Sequence, residues 1–175
     1  MSIKQNKLTR AFISIDFPSE VIKEVARIQS VLNTRANFTG KITELENLHI
    51  TLKFLGHISK SQLQQVKKLL STISFPVLNL SLNSCGTFNF RSNPKIIWIK
   101  VTGNIHQLQK EIDQVLKPLF KPESRFMSHL TIARIKQMGA MINDTFFMVF
   151  ILSVMDWLPG APASQFLLSL YPSLQ

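Results

Sequence analysis

Only one of the 175 residues is a cysteine, Cys85, so no internal disulfide is available and no thiol-rich metal site can form. A lone thiol suits a reducing, intracellular compartment, and a cytoplasmic location is expected. Glycine is also sparse, with six scattered residues and no Gly-rich loop to cradle a nucleotide's phosphates. The apolar run from Phe146 to Met155 spans ten residues with Ser153 inside it. That is about half of what a membrane helix needs, so a buried strand or core helix is expected there. Met1 to Arg10 is polar and basic, so no secretory signal is expected. Acidic residues are few: ten Asp and Glu face twenty Lys and Arg, a net charge of +10. Such an excess points to a polyanionic partner, nucleic acid first, with a solubility surface as the plain alternative. The basic residues in turn stop at Lys136; residues 137–175 hold none, only Asp144 and Asp156.

What the chain does hold is enough apolar material for a core. The hydrophobic fraction is 45% and the charged fraction 17%, which suits one globular domain or two small lobes sharing a core. One pattern then occurs twice, as His49-Ile50-Thr51-Leu52 and His129-Leu130-Thr131-Ile132, 80 residues apart. Each copy lies in an apolar, strand-like run. Residues i and i+2 of a strand share a face, so His49 and Thr51 point one way while Ile50, Leu52 and Phe54 point the other. A core strand has no use for an imidazole beside a hydroxyl. A site that holds a phosphate and moves two protons does.

In-line displacement at phosphorus needs one group to take a proton from the attacking oxygen and another to protonate the leaving oxygen. Histidine suits both tasks because it titrates near working pH. Thr51 and Thr131 would donate hydroxyl hydrogen bonds to the non-bridging oxygens. No metal is required, and neither copy has an adjacent Asp, Glu or Cys to complete a metal site. One His-x-Thr alone would read as an ordinary strand histidine; two copies in a basic chain read as a site. His57, after Gly56, is expected in a surface loop, and His106 in the exposed first turn of a helix.

Local patterns supply the scaffold. Ala11 to Phe17 alternates as a strand, and Pro18-Ser19-Glu20 opens a helix to about Val31 with Val21, Val25, Ile28 and Leu32 on one stripe. Asn37 to Gly40 reads as a turn. Leu48 to Leu55 is a strand stopped at Gly56, and Ser59 with Gln62 forms a capping box for a helix to about Leu70. Two antiparallel strands, 77–82 and 96–101, flank the turn-rich Asn89 to Pro94. A third helix carries Ile105, Leu108, Ile112, Val115 and Leu116 and ends at Pro118. Phe126 to Ile135 is the second His-x-Thr strand, and Gln165 to Tyr171 a last strand after a loop at Pro159-Gly160 and Pro162. This order predicts an α+β protein of two related lobes with a cleft between them.

Three segments carry a resemblance: Arg10 to Asp16, Glu46 to Gly56, and Ser128 to Arg134. Over about residues 8–136 the chain resembles the 2H phosphoesterases, in particular the RNA 2′,3′-cyclic phosphodiesterase branch historically called 2′-5′ RNA ligase. The resemblance implies a single domain over 1–175, bilobal and pseudo-twofold symmetric, with antiparallel sheets, outer helices and a central cleft. It implies hydrolysis of RNA 2′,3′-cyclic phosphate ends to 2′-phosphomonoesters, without metal or nucleotide cofactor. Separately from the resemblance, a monomer with no membrane partner is expected. By that analogy His49 is the proton donor and His129 the proton acceptor, although the residues alone leave the assignment open. Thr51 and Thr131 would hold the phosphate, and Arg134 matches a position that also meets it. Strand parity puts Arg134 opposite His129, so that role requires the strand to end or twist. Phe12 matches a base-stacking platform or a core aromatic.

Residues 137–175 depart from the family pattern, with Leu158 to Pro162 only a faint echo of its Thr-Pro-x-Gly-Pro-x-Tyr-like segment. A shifted reading frame or a diverged terminus would account for this. The alternative from another class is a basic RNA-binding protein with a degenerate cleft. Membrane-surface attachment through the apolar tail is a third reading.

Overall fold

The computed structural model describes residues 8–36, 38–74, 77–138 and 168–172. Strand β1 (Thr9–Asp16) leads into helix α1 (Ser19–Arg35). Strand β2 (Phe38–Ile42) and a short 3-10 turn (Leu45–Asn47) precede β3 (His49–Ile58) and α2 (Lys60–Leu70). Strands β4 (Leu80–Phe90) and β5 (Asn93–Gly103) form a hairpin, followed by α3 (Ile105–Leu116), β6 (His129–Met138) and β7 (Leu168–Pro172). The expected capping box opens α2: the Gln62 amide donates to Ser59 Oγ at 3.2 Å, and the Ser59 amide donates to Gln62 Oε1 at 3.0 Å.

The helices cover one face of the sheet. Val25, Ile28 and Leu32 of α1 and Ile105, Leu108, Ile112 and Leu116 of α3 are buried in one cluster with Ile13, Ile15, Ile50, Leu52, Ile97, Ile99, Leu130 and Ile132. Burying each such side chain is worth about 1.5–3 kcal/mol, which fixes which face of each strand turns inward. By alternation the other face carries Phe12, Ser14 and Asp16 on β1, His49 and Thr51 on β3, and His129 and Thr131 on β6.

The two halves are one sheet rather than two. Its order is β4-β5-β6-β3-β1-β7, with β2 also on β6, and among the described residues every pairing is antiparallel. Among the described residues β3 pairs with β6 at Ile50↔Leu130 alone, and β2 takes over from Ala133. Around that bridge the same unit occurs twice, as β1-α1-β3 and β5-α3-β6. Asp16↔His49, Ile15↔Ile50 and Ser14↔Thr51 in the first match Lys100↔His129, Ile99↔Leu130 and Trp98↔Thr131 in the second. Both then skip one residue. Ile13 pairs with Lys53 and Ile97 with Ala133, leaving Leu52 and Ile132 as the extra residue of a β-bulge.

Several local expectations are corrected. The turn expected at Asn37 to Gly40 is the start of β2 from Phe38 onward. Gly40 belongs there because a Cβ on it would lie 2.2 Å from the Arg134 carbonyl oxygen, so a glycine lets the two backbones meet. β3 does not stop at Gly56 but continues to Ile58, so His57 is exposed on a strand rather than in a loop. The hairpin strands reach Phe90 and Asn93, leaving only Arg91 and Ser92 as the turn. The last strand is present as Leu168–Pro172, paired to β1 with Phe12 opposite Tyr171. The apolar run 146–155 and the loop around Pro159 lie outside the described residues. Among the described residues no helix is long and apolar enough to cross a membrane.

Candidate active site

The Ile50↔Leu130 bridge is the local dyad. Opposed residues in an antiparallel pair exchange under a twofold, so one step along either strand sets His49 across from Thr131 and Thr51 across from His129. Two imidazoles and two hydroxyls thus share one patch on the face away from the helices. The symmetry extends to the ring nitrogens. His49 Nδ1 lies 2.7 Å from the Asn47 carbonyl oxygen, and His129 Nδ1 lies 2.8 Å from the Met127 carbonyl oxygen. A carbonyl only accepts, so each Nδ1 carries the proton and each Nε2 is the nitrogen able to exchange one.

Each imidazole also has an aromatic support. Phe12 stacks on His49 with centroids 4.9 Å apart, and Phe88 meets His129 edge-on at 4.9 Å. Burial pushes the His49 pKa down; the Asn47 carbonyl and Asp16 oppose this, and the nearby Arg134 and His129 add to it. Phe12 is half-buried beside His49, not a core aromatic.

The bulges set the direction of the side chains beyond each threonine. Leu52 and Lys53 are both buried, as are Ile132 and Ala133, so alternation restarts one residue late. Arg134 thereby comes to the face of Thr131 and His129, and is exposed there. The objection from strand parity is removed by this extra residue. Phe54, expected on the inner face, is corrected in the same way: it is 63% exposed, and its ring is 6.3 Å from that of Phe12.

The same bulge sends Lys53 inward. Lys53 is 3% exposed; its Nζ pairs with Asp113 of α3 and donates to the Lys121 carbonyl at 2.7 Å. Asp113 Oδ2 also accepts from Gln109 Nε2 at 2.7 Å and from the Glu123 amide at 2.8 Å. Burial works to raise the Asp113 pKa, but these hydrogen bonds and the Lys53 charge hold it below the usual carboxylate value. This network ties the segment leading into His129 to the core, and no spacing in the sequence announced it.

A second missed support lies under His129. Trp98, opposite Thr131, tilts against Phe88 with centroids 5.4 Å apart, and Phe88 holds His129. The Trp98 ring crosses Gly86 so closely that a Cβ there would lie 2.4 Å from it. Gly86→Ala is expected to push Trp98 and Phe88 outward, costing about 1–3 kcal/mol of stability and lowering turnover through His129. Denaturant melts with kcat measured on the folded fraction check this; unchanged values in both would remove Gly86 from the support. Of the other candidates, His106 is exposed on α3 and contacts Phe126 at 5.0 Å, apart from the site. Cys85 is buried and its thiol is pushed up to about 12, which disfavours a thiolate nucleophile. Among the described residues no group of three or more His, Cys, Asp or Glu could hold a metal ion.

The profile of the family described as "LigT like Phosphoesterase" matches residues 15–98. The RNA 2′,3′-cyclic phosphodiesterase of Methanocaldococcus jannaschii is 36% identical over 129 residues, covering 73% of this chain and 72% of that protein. The protein of the same name from Archaeoglobus fulgidus is 30% identical over 139 residues, covering 77% of each. Among solved structures, TT0787 of Thermus thermophilus superposes with a TM-score of 0.66 at 21% identity, covering 77% of this chain and 78% of that one. E. coli LigT complexed with 3′-AMP gives a TM-score of 0.60 at 23% identity, with 78% of each chain covered. At those identities the structures speak for the fold alone, and it is the fold derived above. The paired His-x-Thr strands and the identity shared with the phosphodiesterases of M. jannaschii and A. fulgidus show that this chain belongs to the LigT-like, or 2H, phosphoesterase family.

Proposed function

We propose that this protein hydrolyses RNA 2′,3′-cyclic phosphate ends to 2′-phosphomonoesters by two-histidine acid–base catalysis. The observation that carries the reading is the dyad: two imidazoles, each with its Nδ1 on a backbone carbonyl, and two threonines set across one strand bridge. The relatives' names supply the substrate class. In the reaction a water oxygen attacks phosphorus while His129 Nε2 takes its proton. The P–O3′ bond breaks on the opposite side, and Nε2–H of a protonated His49 gives its proton to O3′. Thr51, Thr131 and Arg134 hold the non-bridging oxygens, where charge gathers. Phe12 offers its ring to the terminal base. Water then exchanges the two histidine protons and resets the site. An RNA 5′-hydroxyl in place of water would give a 2′-5′ phosphodiester, the ligation direction.

In this reading the domain spans residues 1–175, the protein is a cytoplasmic monomer, and no metal or nucleotide takes part. The test is incubation with a short RNA bearing a 2′,3′-cyclic phosphate, with EDTA present, followed by identification of the product. A 2′-phosphomonoester formed at an undiminished rate in EDTA is expected. A 3′-phosphate, or turnover that needs an added cation, would overturn the assignment. Tight, salt-sensitive RNA binding without turnover would favour the RNA-binding alternative.

A further inference from the structure

Beyond the reacting phosphate, the tip of the β4–β5 hairpin holds groups that the mechanism does not use. Phe88 meets His129, and Phe90 lies two residues further along β4. The extra residue near this end of the hairpin is Lys95 on β5, since Phe88 pairs with Ile96 and Asn89 with Pro94. Alternation along β4 is therefore undisturbed, and Phe90 lies on the same face as Phe88, about 7 Å further out. Phe90 is 61% exposed, and the Arg91 guanidinium lies over its ring at 5.3 Å. That position depends on the turn. Arg91 and Ser92 have φ of 47° and 64°, the left-handed pair of a type I′ hairpin, which side chains disfavour and Gly or Asn usually fills.

Cations border the same tip. Arg134 and Lys136 are exposed on β6, and Lys95 Nζ donates to the Lys136 carbonyl at 3.2 Å. An exposed aromatic with a guanidinium on it, flanked by Lys and Arg, is the combination that binds single-stranded nucleic acid: the ring stacks a base and the cations follow the backbone. The chain's charge of +10 suits such a ligand.

We propose that Phe90 and Arg91 form a second nucleotide subsite, which holds the base next to the reacting end of a single-stranded RNA chain. The inference rests on the cyclic phosphodiesterase reading and narrows its substrate class: oligoribonucleotide ends are preferred over mononucleotide cyclic phosphates.

The test compares kcat/KM of the protein and of Phe90→Ala on a nucleoside 2′,3′-cyclic monophosphate and on a tetranucleotide ending in the same group. Phe90→Ala is expected to lose roughly tenfold or more on the tetranucleotide, the worth of one stacked base, and to stay within twofold on the mononucleotide. Phe90→Trp should keep the preference. Equal losses on both substrates, or none on the tetranucleotide, would overturn the subsite. If the unaltered protein turns over neither substrate, the phosphodiesterase reading fails. Anisotropy of a labelled tetranucleotide ending in a 3′-phosphate then decides the subsite separately. Phe90→Ala should weaken its binding, and Arg91→Ala should lower the salt slope by about 0.7. Unchanged binding in both variants would overturn it.

Discussion

Alanine at His49 or at His129 is expected to lower kcat/KM by roughly 10²–10⁴ while leaving the fold and RNA affinity largely intact. Both imidazoles lie on the face away from the core, so their removal opens no cavity among the buried isoleucines and leucines. Circular dichroism and a thermal melt check the fold; binding is read with a substrate that is not turned over. A loss below tenfold at either position would mean that the histidine transfers no proton in the rate-limiting step. The residual rates also assign the roles. With His129→Ala the remaining rate depends on protonated His49, so it should fall as pH rises. Burial holds His49 below the ordinary histidine value of about 6.5, so that fall should be centred below pH 6.5. A remaining rate that instead rises with pH in His129→Ala would exchange donor and acceptor.

The largest stability effect is expected at Lys53 and Asp113. Lys53→Met leaves the Asp113 carboxylate buried without its counter-charge, and Asp113→Leu does the same to Lys53. Breaking a buried pair on one side costs about 3–5 kcal/mol. At this chain length that lowers Tm by roughly 6–20 °C. The double variant Lys53→Met with Asp113→Leu should lose less than the two single losses combined, because no uncompensated charge remains. Urea unfolding at neutral pH measures all three; additive losses would show that the pair is not coupled. The pH dependence has a definite sign. A carboxyl held below its unfolded value contributes stability that is complete above the unfolded pKa, near 4, and is lost as pH falls through the folded pKa. Asp113→Asn should therefore flatten the loss of stability on acidification below about pH 4.

The candidate site residues were legible because two short-range regularities exposed them. An imidazole and a hydroxyl at i and i+2 of an apolar run are visible wherever they occur, and the pattern occurs twice. Helices α1, α2 and α3 were legible for a similar reason: stripes such as Val25-Ile28-Leu32, and the Ser59–Gln62 box, depend on residues within a few positions of one another. The longer strands and β2 were not, since Phe38 to Ile42 has no alternation of its own and is extended because β6 offers it an edge.

By itself, then, the sequence determined the two His-x-Thr strands, the helices that bury them, and a basic chain suited to a phosphate ligand. These follow from side-chain type and local period. Only the tertiary structure decided that His49 and His129 meet across Ile50↔Leu130, and that Arg134 and Phe54 turn to the same face as the histidines while Lys53 turns inward. The cause is one extra residue in each strand, Leu52 and Ile132. A bulge is a relation between two paired strands, set by how neighbouring backbones satisfy their hydrogen bonds, and no single strand's sequence records it.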